Sequence, residues 1–151
     1  MDKWFEQIEK IANKYTELEF MIPLHPNPNV QKHRNIFNKV KVVDPLSHEE
    51  LIEYVKKCKF VISDSGGLQE EGSFFNKKVI VCRETTERPE AIESGSVMIS
   101  GTATINIIRV VKEIIDNPKI YLEMAAANNP FGDGQASKRI VEVLIKHFYG
   151  I

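Results

Sequence analysis

Phe60-Val61-Ile62-Ser63-Asp64-Ser65-Gly66-Gly67-Leu68-Gln69-Glu70-Glu71-Gly72-Ser73-Phe74-Phe75, followed shortly by Val79-Ile80-Val81, is the stretch on which the fold turns. Phe60 to Ile62 and Val79 to Val81 are compact runs rich in β-branched residues, the composition of strands buried on both faces. Leu68 to Phe75 between them is short and compatible with a helix, so the unit reads strand, helix, strand. Toward the amino terminus, Ser47-His48-Glu49-Glu50 has the S-x-x-E form of a capping box. It opens a helix carrying Leu51, Ile52, Tyr54 and Val55, and an apolar run at Val40, Val42 and Val43 precedes it. Earlier still, Glu19 to Leu24 is a short apolar run leading into proline-rich sequence, and Trp4, Phe5, Ile8, Ile11 and Ala12 recur at helical spacing. In the other direction Val97 to Ile99 reads as a further strand. Thr104 is expected to cap a helix carrying Ile105, Ile108, Val111, Ile114 and Ile115, and helical stretches follow around Asn117-Pro118 and Asn129-Pro130.

Strand signals that alternate with helical ones predict an α/β fold, a doubly wound parallel sheet of Rossmann-like type with helices on both faces. At 151 residues the chain has the length of one domain, read here as residues 1–151. Its 42% apolar and 27% charged residues are those of an ordinary globular protein and argue against disorder or a coiled coil. A formal charge of -1 gives no electrostatic footprint for nucleic acid. No apolar run approaches the roughly 20 residues that a membrane span needs, and Met-Asp-Lys-Trp-Phe-Glu does not read as a signal peptide, so a cytoplasmic protein without a membrane partner is expected. Cys58 and Cys82 read as reduced thiols, and no zinc-ligand spacing accompanies them.

In parallel sheets ligands bind beyond the carboxyl ends of the strands, which directs attention to three loops. These are His25-Pro26-Asn27-Pro28-Asn29, Ser63-Asp64-Ser65-Gly66-Gly67, and Arg83-Glu84-Thr85-Thr86-Glu87-Arg88-Pro89-Glu90. The second joins a strand to a helix through two glycines, so backbone N–H groups and the positive end of the helix can cradle a phosphate; a plain tight turn uses the same residues. Glu70 or Glu71, about one turn later, can accept from two neighbouring sugar hydroxyls or simply form a solvated acidic turn. Arg83 or Arg88 can fork onto a diphosphate, or the arginines and glutamates of that loop can neutralise one another at the surface. His25 lies at a strand end, where a structural histidine is the commoner reading, and His33, His48 and His147 carry no partner signal.

Together, His25-Pro26-Asn27-Pro28-Asn29-Val30, Ser63 to Glu71, Thr85-Thr86-Glu87-Arg88-Pro89-Glu90 and Asn129-Pro130-Phe131-Gly132-Asp133-Gly134-Gln135-Ala136 resemble the non-hydrolysing UDP-N-acetylglucosamine 2-epimerase family. The resemblance runs over nearly the whole chain and covers the carboxy-terminal half of that family, whose members look like two Rossmann-type domains in the GT-B arrangement. It implies that Ser65, Gly66 and Gly67 bind the diphosphate of UDP, that Glu71 holds the ribose, that Arg88 contacts the phosphates, and that His25 lies on the cleft wall. It also implies that uracil rests near Leu46 and Leu51. The family reaction interconverts UDP-GlcNAc and UDP-ManNAc through elimination of UDP and re-addition; the resemblance implies no cofactor and no metal.

The resemblance further implies that the proton-transferring acidic residues lie in the amino-terminal domain, and that a His-Arg-Arg-Glu-like motif comes before the first helix of this chain. No catalytic residue is expected here. The chain alone is expected to be inactive and to need an amino-terminal epimerase domain as partner. A non-catalytic UDP or UDP-sugar binding module is the rival reading, and half of a GT-B glycosyltransferase is a weaker third; the sequence leaves the oligomeric state open.

Overall fold

The computed structural model describes residues 2–101, 103–125 and 129–150. Elements run α1 (Asp2–Lys14), β1 (Met21–Pro23), α2 (Pro28–Gln31), a 3-10 turn (Arg34–Ile36), β2 (Lys41–Val43), α3 (His48–Lys57), β3 (Phe60–Ser63) and α4 (Gly66–Phe74). Then follow β4 (Lys78–Val81), α5 (Pro89–Glu93), β5 (Val97–Ile99), α6 (Thr104–Asp116), α7 (Pro118–Ala125) and α8 (Ala136–Tyr149). All strand pairs are parallel and helices cover both sides, a Rossmann-like α/β architecture.

β4 explains why the sheet needs two helical layers. Its four residues Lys78 to Val81 are all fully buried. Because side chains alternate along a strand, Ile80 packs with α1 and α6, whereas Val79 and Val81 pack with Ala91 of α5 and Val97 of β5. α1 presents Phe5, Ile8, Ile11 and Ala12 to the first layer, and α6 answers with Ile107, Val110, Val111 and Ile114. Each of these side chains other than that of Ala12 stabilises the fold by roughly 1.5–3 kcal/mol relative to exposure. On the opposite side α4 approaches β4 so closely that a methyl group on Gly72 would collide with Cγ2 of Val79, so this position tolerates only glycine without rearrangement.

The hydrogen-bonded ladder differs from the single sheet expected. β1 pairs only with β2, and β3, β4 and β5 form a separate sheet in that order. The Phe20 and Phe60 rings, 6.2 Å apart, bring the starts of β1 and β3 together, and both sheets share one apolar cluster. The backbone supplies the reason for the gap: Phe20 and Leu24 bond to β2, which leaves Met21 and Pro23 facing outward, and Pro23 has no N–H for a third strand.

Local chemistry sets several boundaries. Ser47 accepts from Glu50 N at 3.3 Å while the Glu50 carboxylate accepts from Ser47 N at 2.8 Å, the reciprocal capping box that the sequence predicts for α3. Pro89 occupies the first turn of α5. The cap of α6 is Ala103 rather than Thr104, which already lies within the helix; the side chains of Thr104 and of Ile105, expected on its apolar face, lie outside the described residues. Glu9, nine-tenths buried on α1, accepts from Lys39 N at 2.8 Å and Val40 N at 3.1 Å and so ties α1 to the entry of β2. Burial raises its pKa, but those backbone donors with Asn13 outweigh it and hold the carboxyl below its ordinary value. Among the described residues no helix is long and apolar enough to cross a membrane.

Candidate functional site

In the three-stranded sheet Ser63 is in register with Val81, and Val81 with Ile99, so the loops after β3, β4 and β5 leave side by side. The first turns directly into α4. Ser63 Oγ accepts from Ser65 N at 3.0 Å and bends the chain, and Ser65 becomes the cap of α4 without a side-chain capping bond. The first N–H groups of α4, from Gly66 onward, therefore have no side-chain acceptor at the cap, and no acidic residue occupies the first turn. Such a terminus carries about half a positive charge and suits an anion.

Arg88 comes from the neighbouring loop after β4. A methyl group placed on Gly66 would lie 3.8 Å from Arg88 Nη2, so the guanidinium stands over the first residue of α4. Its Nε donates to Glu70 Oε1 at 2.5 Å, and Nη1 donates to the Glu87 carbonyl at 3.2 Å. The Glu70 carboxylate raises the arginine's pKa further above its ordinary value. Thus Arg88 is paired, yet its partner lies on the helix of the cradle rather than among the acidic residues of its own loop. Glu70 is accordingly occupied with the arginine. Glu71, the next residue, faces elsewhere: His48 Nδ1, from the first residue of α3, lies 3.7 Å from Glu71 Oε1.

The structure thus brings Ser65, Gly66, Gly67 and Arg88 together, with Glu71 farther along the same helix. Leu46 and Leu51 flank the Ser47 cap and are half-buried. His25 is exposed and engages its own loop: Nδ1 accepts from Asn27 N at 3.1 Å, which leaves the proton of the neutral ring on Nε2. Asn27 caps α2 in turn, with Pro28 in its first turn. Among the described residues no hydrogen bond or ion pair joins His25, Leu46 or Leu51 to the α4 cradle, and no group of three or more His, Cys, Asp or Glu side chains is placed to hold a metal ion.

Sequence reasoning missed the residues that connect these loops. Gln69, only 1% exposed, accepts from Thr86 Oγ1 at 2.6 Å and donates to the Ser65 carbonyl at 3.3 Å. Thr86 Oγ1 also accepts from Arg88 N at 3.1 Å. The one available signal was a buried-type amide among the helix residues after the glycines, and its partner lies in another loop.

The sequence model of the family described as UDP-N-acetylglucosamine 2-epimerase matches residues 1–145. The chain belongs to this family. It is 38% identical over 152 aligned residues to the UDP-N-acetylglucosamine 2-epimerase of Bacillus subtilis (strain 168), an alignment covering 98% of this chain and 40% of that protein. The fold is similar to the S. aureus MnaA-UDP co-structure with a TM-score of 0.92 at 36% identity, covering 99% of this chain and 42% of that one. It is also similar to UDP-GlcNAc 2-epimerase from Neisseria meningitidis bound to UDP-GlcNAc, with a TM-score of 0.86 at 40% identity over 97% of this chain and 41% of the other. The chain thus spans about 40% of the length of these epimerases and corresponds to their carboxy-terminal part.

Proposed function

We propose that this chain is the UDP-binding half of a UDP-N-acetylglucosamine 2-epimerase, which converts UDP-GlcNAc to UDP-ManNAc only together with an amino-terminal domain. The observation that carries the reading is the Arg88 guanidinium above the open end of α4. Diphosphate oxygens there receive the Ser65 hydroxyl and the backbone N–H groups of Gly66 and Gly67 on one side and a planar donor fork on the other. Glu71 accepts from the ribose hydroxyls, uracil lies toward Leu46 and Leu51, and His25 stands at the cleft wall. These donors stabilise the negative charge that develops on UDP as it leaves, a service typically worth a few kcal/mol per donor.

Moving a proton at the sugar carbon needs a positioned base and acid, and we assign neither to this chain. α8 supports a second domain as the source. Ile140, Val141, Val143, Leu144 and Phe148 are all more than 45% exposed on it, an apolar face that the described residues of this chain leave bare. The test is complementation. The chain alone should give no UDP-ManNAc from UDP-GlcNAc, and addition of the amino-terminal portion of the B. subtilis relative should restore conversion. Leu144→Asp should abolish that restoration without weakening UDP binding. Conversion by the pure chain would place the proton-transfer groups in this half and overturn the proposal.

A further inference from the structure

The two sides of the cradle belong to different loops, and beside the Arg88–Glu70 pair a buried amide joins them. Gln69 lies one turn into α4, where its Nε2 donates back to the carbonyl of Ser65 at 3.3 Å. Its Oε1 receives the Thr86 hydroxyl at 2.6 Å, and the same hydroxyl receives the backbone N–H of Arg88 at 3.1 Å. The hydroxyl thus acts as donor and acceptor at once and fixes the loop two residues from the arginine. Glu70, adjacent to Gln69, then fixes the guanidinium through Nε at 2.5 Å and leaves Nη2 on the Gly66 side.

We propose that Gln69 and Thr86 are positioning residues that hold the Arg88 loop against the α4 terminus, so that the diphosphate clamp is assembled before the nucleotide arrives. The proposal rests on the UDP reading above and adds the means by which its two phosphate contacts are kept in register. Pre-assembly matters because a long arginine on an unanchored loop loses rotamer and loop freedom on binding, and that loss subtracts from affinity. Burial makes the strut stiff. If the loop slid away, Gln69 Oε1 would be left without a partner in a site from which water is nearly excluded. Neither residue need touch the ligand.

Thr86→Val keeps the shape of the side chain and removes the hydroxyl, while Thr86→Ser keeps the hydroxyl. Chemical-shift titrations with UDP and with uridine separate phosphate contacts from base and ribose contacts. Thr86→Val should weaken UDP about tenfold, change uridine by less than about twofold, and cost nothing further in an Arg88→Ala background. Thr86→Ser should restore UDP binding. In the ligand-free chain, the Arg88 Nε–H resonance should move in Thr86→Val and return in Thr86→Ser. Equal losses for UDP and uridine, a full additional loss on Arg88→Ala, or an unmoved Arg88 resonance would overturn the proposal. If the unmodified chain bound neither probe, the UDP reading would fall, and the ligand-free resonance would still decide whether Thr86 places Arg88.

Discussion

α6 and α8 are helices of nearly equal length, 13 and 14 residues, and both carry an apolar stripe at helical spacing. In α6 the stripe Ile107, Val110, Val111 and Ile114 is at most 2% exposed because α1 and β4 lie against it. In α8 the stripe that includes Ile140, Leu144 and Phe148 is 48–70% exposed, and none of the helix is buried. The periodicity is the same and the surroundings are not. An amphipathic pattern states that a face has to be covered, but it does not state by what. In a chain that spans about 40% of its relatives' length, the covered helix belongs to the core of this half, and the bare one is the face proposed above to meet a second domain.

The sharpest way to break this comparison is a cavity. Ile114→Ala should destabilise the chain by about 2–5 kcal/mol in urea unfolding, because its neighbours cannot collapse into the space. A loss below about 1 kcal/mol would mean that the α1–α6 layer is looser than described.

A smaller effect comes from a misfit already present on the covered side. Lys78 is fully buried at the start of β4, its Nζ has no hydrogen-bond partner among the described residues, and it lies 5.6 Å from the centre of the Tyr121 ring, which Lys59 Nζ approaches to the same distance. Burial pushes its pKa down to about 8. The unfolded chain then holds more protons than the folded one from about pH 8 to the ordinary lysine value, so this group makes stability rise with pH across that window. The thiols of Cys58 and Cys82 act in the opposite sense: burial raises their pKa, and their share of stability falls above the ordinary thiol value. Lys78→Met should stabilise the protein at neutral pH by on the order of 1–3 kcal/mol and remove the lysine's part of the slope. Urea titrations of both proteins at pH values spanning that window supply the check, and an unchanged slope would refute the assignment. The smallest effect is expected on the bare helix: Leu144→Ala should change the stability of this chain by less than about 0.5 kcal/mol. A cost like that of Ile114→Ala would show that α8 already packs against this chain.

What could be read in the sequence was what neighbouring residues decide. The strands of the Phe60 to Val81 unit, the Ser47–Glu50 capping box and Pro89 at a helix start all follow from chemistry within a few residues. Pairings between distant segments could not be read. Glu9 sits among Lys and Gln like any solvated carboxylate, and only the fold brings Lys39 N and Val40 N to it. Thr86 and Gln69 are 17 residues apart and Arg88 and Glu70 are 18, so the sequence, which offers either an arginine that forks onto a diphosphate or a loop whose charges neutralise one another, does not reveal that the loop is anchored on α4. The split of the sheet was hidden for a related reason: Pro23 ends a recognisable strand, but which neighbour would lack its N–H depends on register.

Calorimetric titration of the 151-residue chain with UDP, beside its Arg88→Ala variant, addresses the central claim most directly. The account predicts weak, saturable binding, because half of a two-domain cleft leaves one side of the nucleotide in water, and about a tenfold loss in Arg88→Ala with the melting temperature unchanged. No heat at millimolar UDP, or equal binding by the two proteins, would contradict it.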